Sequence, residues 1–276
     1  MKHIYLNLKR FDIPKNLGGV NSIAPIKEWG RYIVENTQEK LKSYKEVEFA
    51  MFFPESHLIP AVESKKDYSK INIGTQGLFW DDTAVGGPFG AFTSSLTGNA
   101  AKAMGCSYSL IGHCEERKKL NSILKEAGVT DSSAVNRILN KEILAAQKAG
   151  LNVLYCIGEN DTELDAWESV LGSQLSIGLK DADLSKIVIG YEPIWSIGPG
   201  KIPAGREYIQ KIAVFVKKTT GNLDVVYGGG LKEDNAEMLA SIPEIDGGLI
   251  ALTKFSGEIG FYPNGYLEIV RKYLGE

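Results

Sequence analysis

The chain has little cysteine, little histidine and no long apolar run. Cys106, Cys114 and Cys156 are the only cysteines in 276 residues. None forms a Cys-x-x-Cys pair, which argues against a disulfide framework and a structural zinc site. His3, His57 and His113 share no metal-ligand spacing. A metal-free, cofactor-free protein of a reducing, cytoplasmic compartment is therefore expected. No apolar stretch approaches the roughly 20 residues that span a bilayer, and the charged first residues lack a signal-peptide pattern. Positive charge is not in excess either. Lys+Arg 31 against Asp+Glu 34 leaves a net charge of -3, so no cationic field recruits nucleic acid or an anionic membrane. Finally, no Gly-x-Gly-x-x-Gly opens a helix after the first strand, which disfavours a dinucleotide-binding open sheet.

What is present is a regular alternation. Hydrophobic residues make up 43% and charged residues 24%, a globular balance that excludes a disordered chain, a collagen-like repeat and a coiled coil. Eight short runs rich in β-branched and aromatic residues cover 3–8, 47–53, 71–76, 108–113, 152–158, 187–193, 224–230 and 247–253. They are nearly continuous rather than alternating, the pattern of parallel strands buried on both faces. Helical periodicity is clearest over 132–150 and recurs over 209–218, 233–240 and 267–273, with a longer candidate at 24–44. Strand and helix in alternation imply right-handed βαβ units. Eight units without a low-complexity linker predict one closed (β/α)8 barrel domain over residues 1–276, a size normal for that architecture.

In such a barrel the reacting groups gather where the strands end. Asn7, Lys9, Gln76, His113, Glu159, Glu192, 228–230 and 251–254 close seven of the eight runs. Glu192 follows five largely apolar residues and precedes Pro193. Pro193 and Trp195 stiffen the chain before Gly198-Pro199-Gly200, which reads as a lid between two hinges. His113 closes a strand and opens a helical run, where the positive end of the helix dipole disfavours an imidazolium. A neutral ring there donates a hydrogen bond. Asn7 and Lys9 project to one face of their strand. Three glycines, 228–230, permit close backbone approach to an anion. Each feature alone has an ordinary structural explanation.

Together they resemble the triosephosphate isomerase family. Tyr191-Glu192-Pro193-Ile194-Trp195 with the following Gly198-Pro199-Gly200-Lys201 is similar to its signature. GHCEERKKL resembles its Gly-His-Ser-Glu-Arg-Arg segment. Asn7-Leu8-Lys9, LYCIGE, YGGG and IDGG match further segments in the family order, across essentially the whole chain. The resemblance implies a TIM barrel that interconverts glyceraldehyde 3-phosphate and dihydroxyacetone phosphate without a cofactor. Glu192 is then the base, His113 the neutral electrophile, Lys9 the cation beside the developing charge, and Asn7 a carbonyl-side contact, with Glu115 in support. Gly198, Gly229, Gly230, Ala251 and Leu252 take the phosphate positions. A homodimer is implied as well.

The departures cluster away from Glu192 and His113. Gly230 replaces the family's serine, and Ala251 and Leu252 align with two phosphate-facing glycines. Lys254, just beyond, is a candidate replacement cation. The loop after Gln76 is lengthened over 85–88, although 90–93 still match its tip. Cys114 and Glu116 replace a serine and an arginine. An altered specificity pocket keeps two alternatives open. One is an isomerase of a related sugar phosphate such as an erythrulose phosphate, and the other is a non-catalytic phosphosugar-binding barrel.

Overall fold

A computed structural model describes residues 1–198 and 201–276. All eight expected runs form strands: β1 Lys2–Asn7, β2 Val47–Phe53, β3 Ile71–Thr75, β4 Tyr108–Ile111, β5 Asn152–Ile157, β6 Ile187–Tyr191, β7 Val225–Tyr227 and β8 Gly247–Ile250. Each pairs in parallel with the next, and β8 returns to β1 to close the barrel.

The period-2 geometry of a strand divides the apolar residues into two cores. Tyr5, Phe52, Leu110, Leu154, Val226 and Leu249 fill the barrel interior. Their neighbours Ile4, Met51, Ile111, Val153, Val225 and Ile250 face outward, into the layer beneath the helices. Continuous hydrophobicity was needed because both faces are covered. Inside, Gly74 makes room for a ring: a Cβ there would lie 2.7 Å from Phe52.

The outer helices include Cys114–Glu126, Ala134–Lys148, Trp167–Gly178, Arg206–Thr220 and Pro263–Tyr273. The expected long helix at 24–44 is instead broken into Trp29–Glu35 and Gln38–Leu41. At the break, Asn36 Nδ2 and Thr37 Oγ1 donate to the carbonyls of Tyr32 and Ile33, at 2.7 and 2.8 Å. Side chains that bond the backbone compete with helix propagation in this way.

Buried polar groups fasten the elements that carry the rim. Arg117 spreads its guanidinium over the Gly112 and Cys156 carbonyls, Asn136 Oδ1 and the Tyr155 hydroxyl. This fork locks the helix that begins at Cys114 to the end of β5. At the opposite end, His3 bridges Glu48 and Asp224 at 2.9 and 2.8 Å, tying β1 to β2 and to the start of β7.

Candidate active site

The residues singled out at strand ends converge on one rim. Asn7 ends β1 and Lys9 follows it. Gln76 follows β3, His113 follows β4, Glu159 follows β5, Glu192 follows β6, and 228–230 and 251–252 follow β7 and β8. Parallel pairing all round the barrel makes this inevitable, since every strand exits on the same side.

His113 is the N-cap of the helix Cys114–Glu126, and its Nδ1 accepts the Glu115 amide at 3.3 Å. A neutral ring so placed carries its proton on Nε2. Nε2 faces Glu192 Oε1 at 3.2 Å. The other Glu192 oxygen accepts the Cys114 amide at 2.8 Å. Both side chains are almost wholly buried. The carboxylate is therefore held by the helix N-terminus, with the imidazole standing against its other oxygen. Gly228 packs against it, since a Cβ at that position would stand 2.7 Å from Glu192 Cγ.

Lys9 lies across the mouth. Its backbone is in the left-handed region at φ 40°, a strained position for a side-chain-bearing residue. The turn is held by Asn7 Oδ1, which accepts the Lys9 amide at 3.0 Å. Gln76 completes it: its amide nitrogen donates to the Lys9 carbonyl at 3.0 Å, the Phe52 carbonyl at 3.1 Å and Asn7 Oδ1 at 3.3 Å. The Lys9 ammonium reaches Glu115 Oε1 at 2.6 Å. Burial pushes the Glu115 carboxyl upward, but Lys9 and His113 outweigh it and hold it below the usual carboxylate range. A cavity of about 110 Å³ lies among Asn7, Lys9, Gln76, His113, Glu115 and Glu116. A larger depression of about 580 Å³ sits at the opposite end, among Lys2, Glu46, Asp246 and Glu276, away from these groups.

Glu159 fastens the segment leaving β6. One of its oxygens accepts the Tyr191 hydroxyl, the Trp195 indole and the Tyr208 hydroxyl, at 2.9, 2.8 and 3.1 Å. The Ile194 amide also bonds the Glu159 carbonyl. This anchors the near leg of the expected lid. Gly198 has φ 121°, as a hinge requires, while Pro199 and Gly200 fall outside the described residues. Around the rim, the Leu231 amide bonds the Leu249 carbonyl at 3.0 Å, joining the turn at Gly229 and Gly230 to the end of β8. Ala251 and Leu252 are half-buried there.

Sequence reasoning gave Gln76 and Glu159 a place but no role. The legible signal was a polar residue closing an apolar run. The Cys114 amide was missed entirely, because a main-chain donor leaves no trace in residue type. As for metals, His113, Cys114 and Glu192 place three donor atoms within 4.8 Å of one another. The Glu115 amide on Nδ1 leaves the proton on the nitrogen facing that cluster, so the ring offers it a donor rather than a lone pair. Burial and the Glu192 carboxylate push the Cys114 thiol upward, away from the thiolate that metals prefer.

Comparison with known proteins agrees with this fold. A family model described as triosephosphate isomerase matches residues 26–259. The triosephosphate isomerase of Geobacter metallireducens is 37% identical over 194 residues, 65% of this chain and 70% of that protein. That of Picosynechococcus is 33% identical over 193 residues, covering 69% and 73%. The crystal structure of triosephosphate isomerase from Bartonella henselae superimposes with a TM-score of 0.74 at 22% identity, over 99% of each chain.

Proposed function

Because this chain belongs to the triosephosphate isomerase family, we propose that it interconverts glyceraldehyde 3-phosphate and dihydroxyacetone phosphate through an enediolate. The observation that carries this reading is the 3.2 Å approach of His113 Nε2 to Glu192 Oε1, with Lys9 on the same mouth.

A carbon acid next to a carbonyl needs a base and an electrophile acting together. Glu192 takes the proton from carbon, and His113 gives a hydrogen bond to the carbonyl oxygen. The two side chains touch each other here, so substrate enters by replacing that contact and comes to lie between them. His113 then moves protons between the two enediolate oxygens, and Glu192 returns its proton to the neighbouring carbon. Positioned proton transfer contributes roughly 10²–10⁴-fold, and donors aimed at the developing oxyanion contribute on the order of 10²–10³-fold. Lys9, held in its strained turn, supplies positive charge to that oxyanion, and Asn7 contacts the carbonyl side. Gly198, Gly229, Gly230, Ala251 and Leu252 receive the phosphate through their amides. The lid anchored by Glu159 keeps water from the enediolate, which would otherwise lose phosphate.

Residues 1–276 act as one domain in this reading, in the cytoplasm, as a homodimer without cofactor. The dimer is supported by the loop after Gln76, which exposes Val85, Phe89 and Trp80. No helix of the described residues is long and apolar enough to cross a membrane.

A second reading, isomerisation of an erythrulose phosphate, is favoured by one observation. Ala251 and Leu252 carry side chains at the half-buried positions where the family has glycine. The deciding experiment compares turnover of glyceraldehyde 3-phosphate with that of the erythrulose phosphates, with solvent deuterium exchange into each. Higher kcat/KM for the triose supports the first reading, and a tetrulose preference supports the second. Exchange into none of them removes isomerase chemistry and leaves a phosphosugar-binding barrel.

A further inference from the structure

We propose that Lys232 is a phosphate-binding residue, the cation that compensates for the altered backbone cradle formed by Gly230, Ala251 and Leu252. This rests on the phosphosugar reading above.

Gly230 adopts φ 97°, and a Cβ there would meet Lys232 Cε at 3.5 Å. The lysine side chain thus runs back over the glycine that opens the turn. Its backbone is fixed in that relation. The Lys232 amide donates to Asn235 Oδ1 at 2.8 Å, and Asn235 Nδ2 donates to the Gly230 carbonyl at 2.9 Å. The Lys232 ammonium stands 4.4 Å from the centre of the Phe255 ring. Phe255 belongs to the loop after β8, so this cation–π contact spans the two loops that carry the phosphate positions.

The charge is not neutralised locally. The adjacent carboxylate, Glu233, is drawn away to Lys272 at 2.9 Å. Lys254, the cation expected from sequence, is exposed, and its backbone is paired with Gly260 in a short bridge. A half-buried ammonium with no carboxylate partner among the described residues, leaning on an aromatic face beside a glycine-rich turn, is suited to a phosphate dianion.

The test measures inorganic phosphate binding to the full-length chain by calorimetry, alongside its inhibition constant in the isomerase assay. Lys232→Gln is expected to weaken phosphate binding about tenfold or more, the effect of losing one charge-assisted contact. Lys232→Arg should recover most of the loss, Phe255→Ala should lose part of it, and Lys254→Gln should change it less than about twofold. The wild-type affinity should fall with rising salt, and the Lys232→Gln affinity less steeply. Unchanged binding in Lys232→Gln, equal loss in Lys254→Gln, or no phosphate binding by the wild type would each overturn the assignment. Failure of the isomerase reading is separately visible. A wild type that turns over no sugar phosphate yet binds phosphate through Lys232 loses that reading and keeps this one.

Discussion

His113 Nε2 meets one oxygen of Glu192 at 3.2 Å, and the amide of the very next residue, Cys114, holds the other at 2.8 Å. One turn of chain thus carries both the proposed electrophile and the clamp for the proposed base. Glu192→Gln keeps the amide clamp and removes the basicity. Turnover should fall by roughly 10²–10⁴-fold, with phosphate inhibition within a few-fold of wild type. Steady-state kinetics decide this, and near-normal turnover would remove Glu192 from the mechanism.

His113→Gln tests the other half of the pair. It keeps a hydrogen-bond donor of similar reach but cannot relay a proton. Isomerisation should fall by on the order of 10²-fold or more, while exchange of the substrate carbon proton with solvent falls less. Equal loss of both signals would assign His113 to positioning alone.

Gln76 braces the Asn7–Lys9 turn through three hydrogen bonds. Gln76→Leu leaves the half-buried Lys9 carbonyl without its donor, a cost of about 1–3 kcal/mol, and loosens the strained turn that the Asn7 bond then holds alone. The expectation is a drop in kcat/KM of roughly 5–100-fold. Wild-type kcat/KM in the leucine variant would show that the turn stands without it.

The barrel's topology was legible because its cause is repeated eight times. Every strand needs an apolar run covered on both faces, and each run was visible, down to the three-residue β7. Helix boundaries were less legible. Trp167–Gly178 was not singled out, since its internal Gly172 and Ser173 blur the helical stripe. The span at 24–44 misled because its apolar spacing runs on past Asn36 and Thr37, whose side chains bond the carbonyls four residues back. Asn7, Lys9, His113 and Glu192 were placed on one rim from strand ends alone. What could not be found was anything set by main-chain atoms or by loops meeting across the rim. The Cys114 amide and the contact between Lys232 and Phe255 are of that kind.

The opposite end of the barrel predicts a pH window. Burial pulls the His3 value downward, but bonds to Glu48 and Asp224 outweigh it and leave it raised. Burial raises Glu48, yet His3, Tyr108 and Tyr5 hold it below its usual range. The His3 contribution is full below its unfolded value and is lost as pH rises through the raised one. The Glu48 contribution is present above its unfolded value and is lost as pH falls. Both therefore act together in mildly acidic solution, between the two unfolded values. His3→Gln should lower Tm most there, and the gap should narrow as pH rises above neutrality. A gap independent of pH, in thermal melts from pH 4 to 9, would contradict this linkage.

Glu142 supplies the opposite sign. It is buried in the helix Ala134–Lys148 with Oε2 unpartnered, and it stands beside Glu116. Burial and that second carboxyl push it up to about 9, with Lys119 acting the other way. Glu116 is itself raised by burial, although the Gly112 amide and the charges of Lys119 and Arg117 oppose the shift. The unfolded chain ionises Glu142 near the ordinary carboxylate value, whereas the folded chain keeps the proton. Stability therefore falls as pH climbs between those two values. Glu142→Gln removes the titration while keeping the shape and a donor for Glu116. It should raise Tm at pH 8, with the advantage shrinking toward zero near pH 4. Equal melting of variant and wild type across that range would mean that Glu142 is ionised in the folded protein, its charge answered by Lys119.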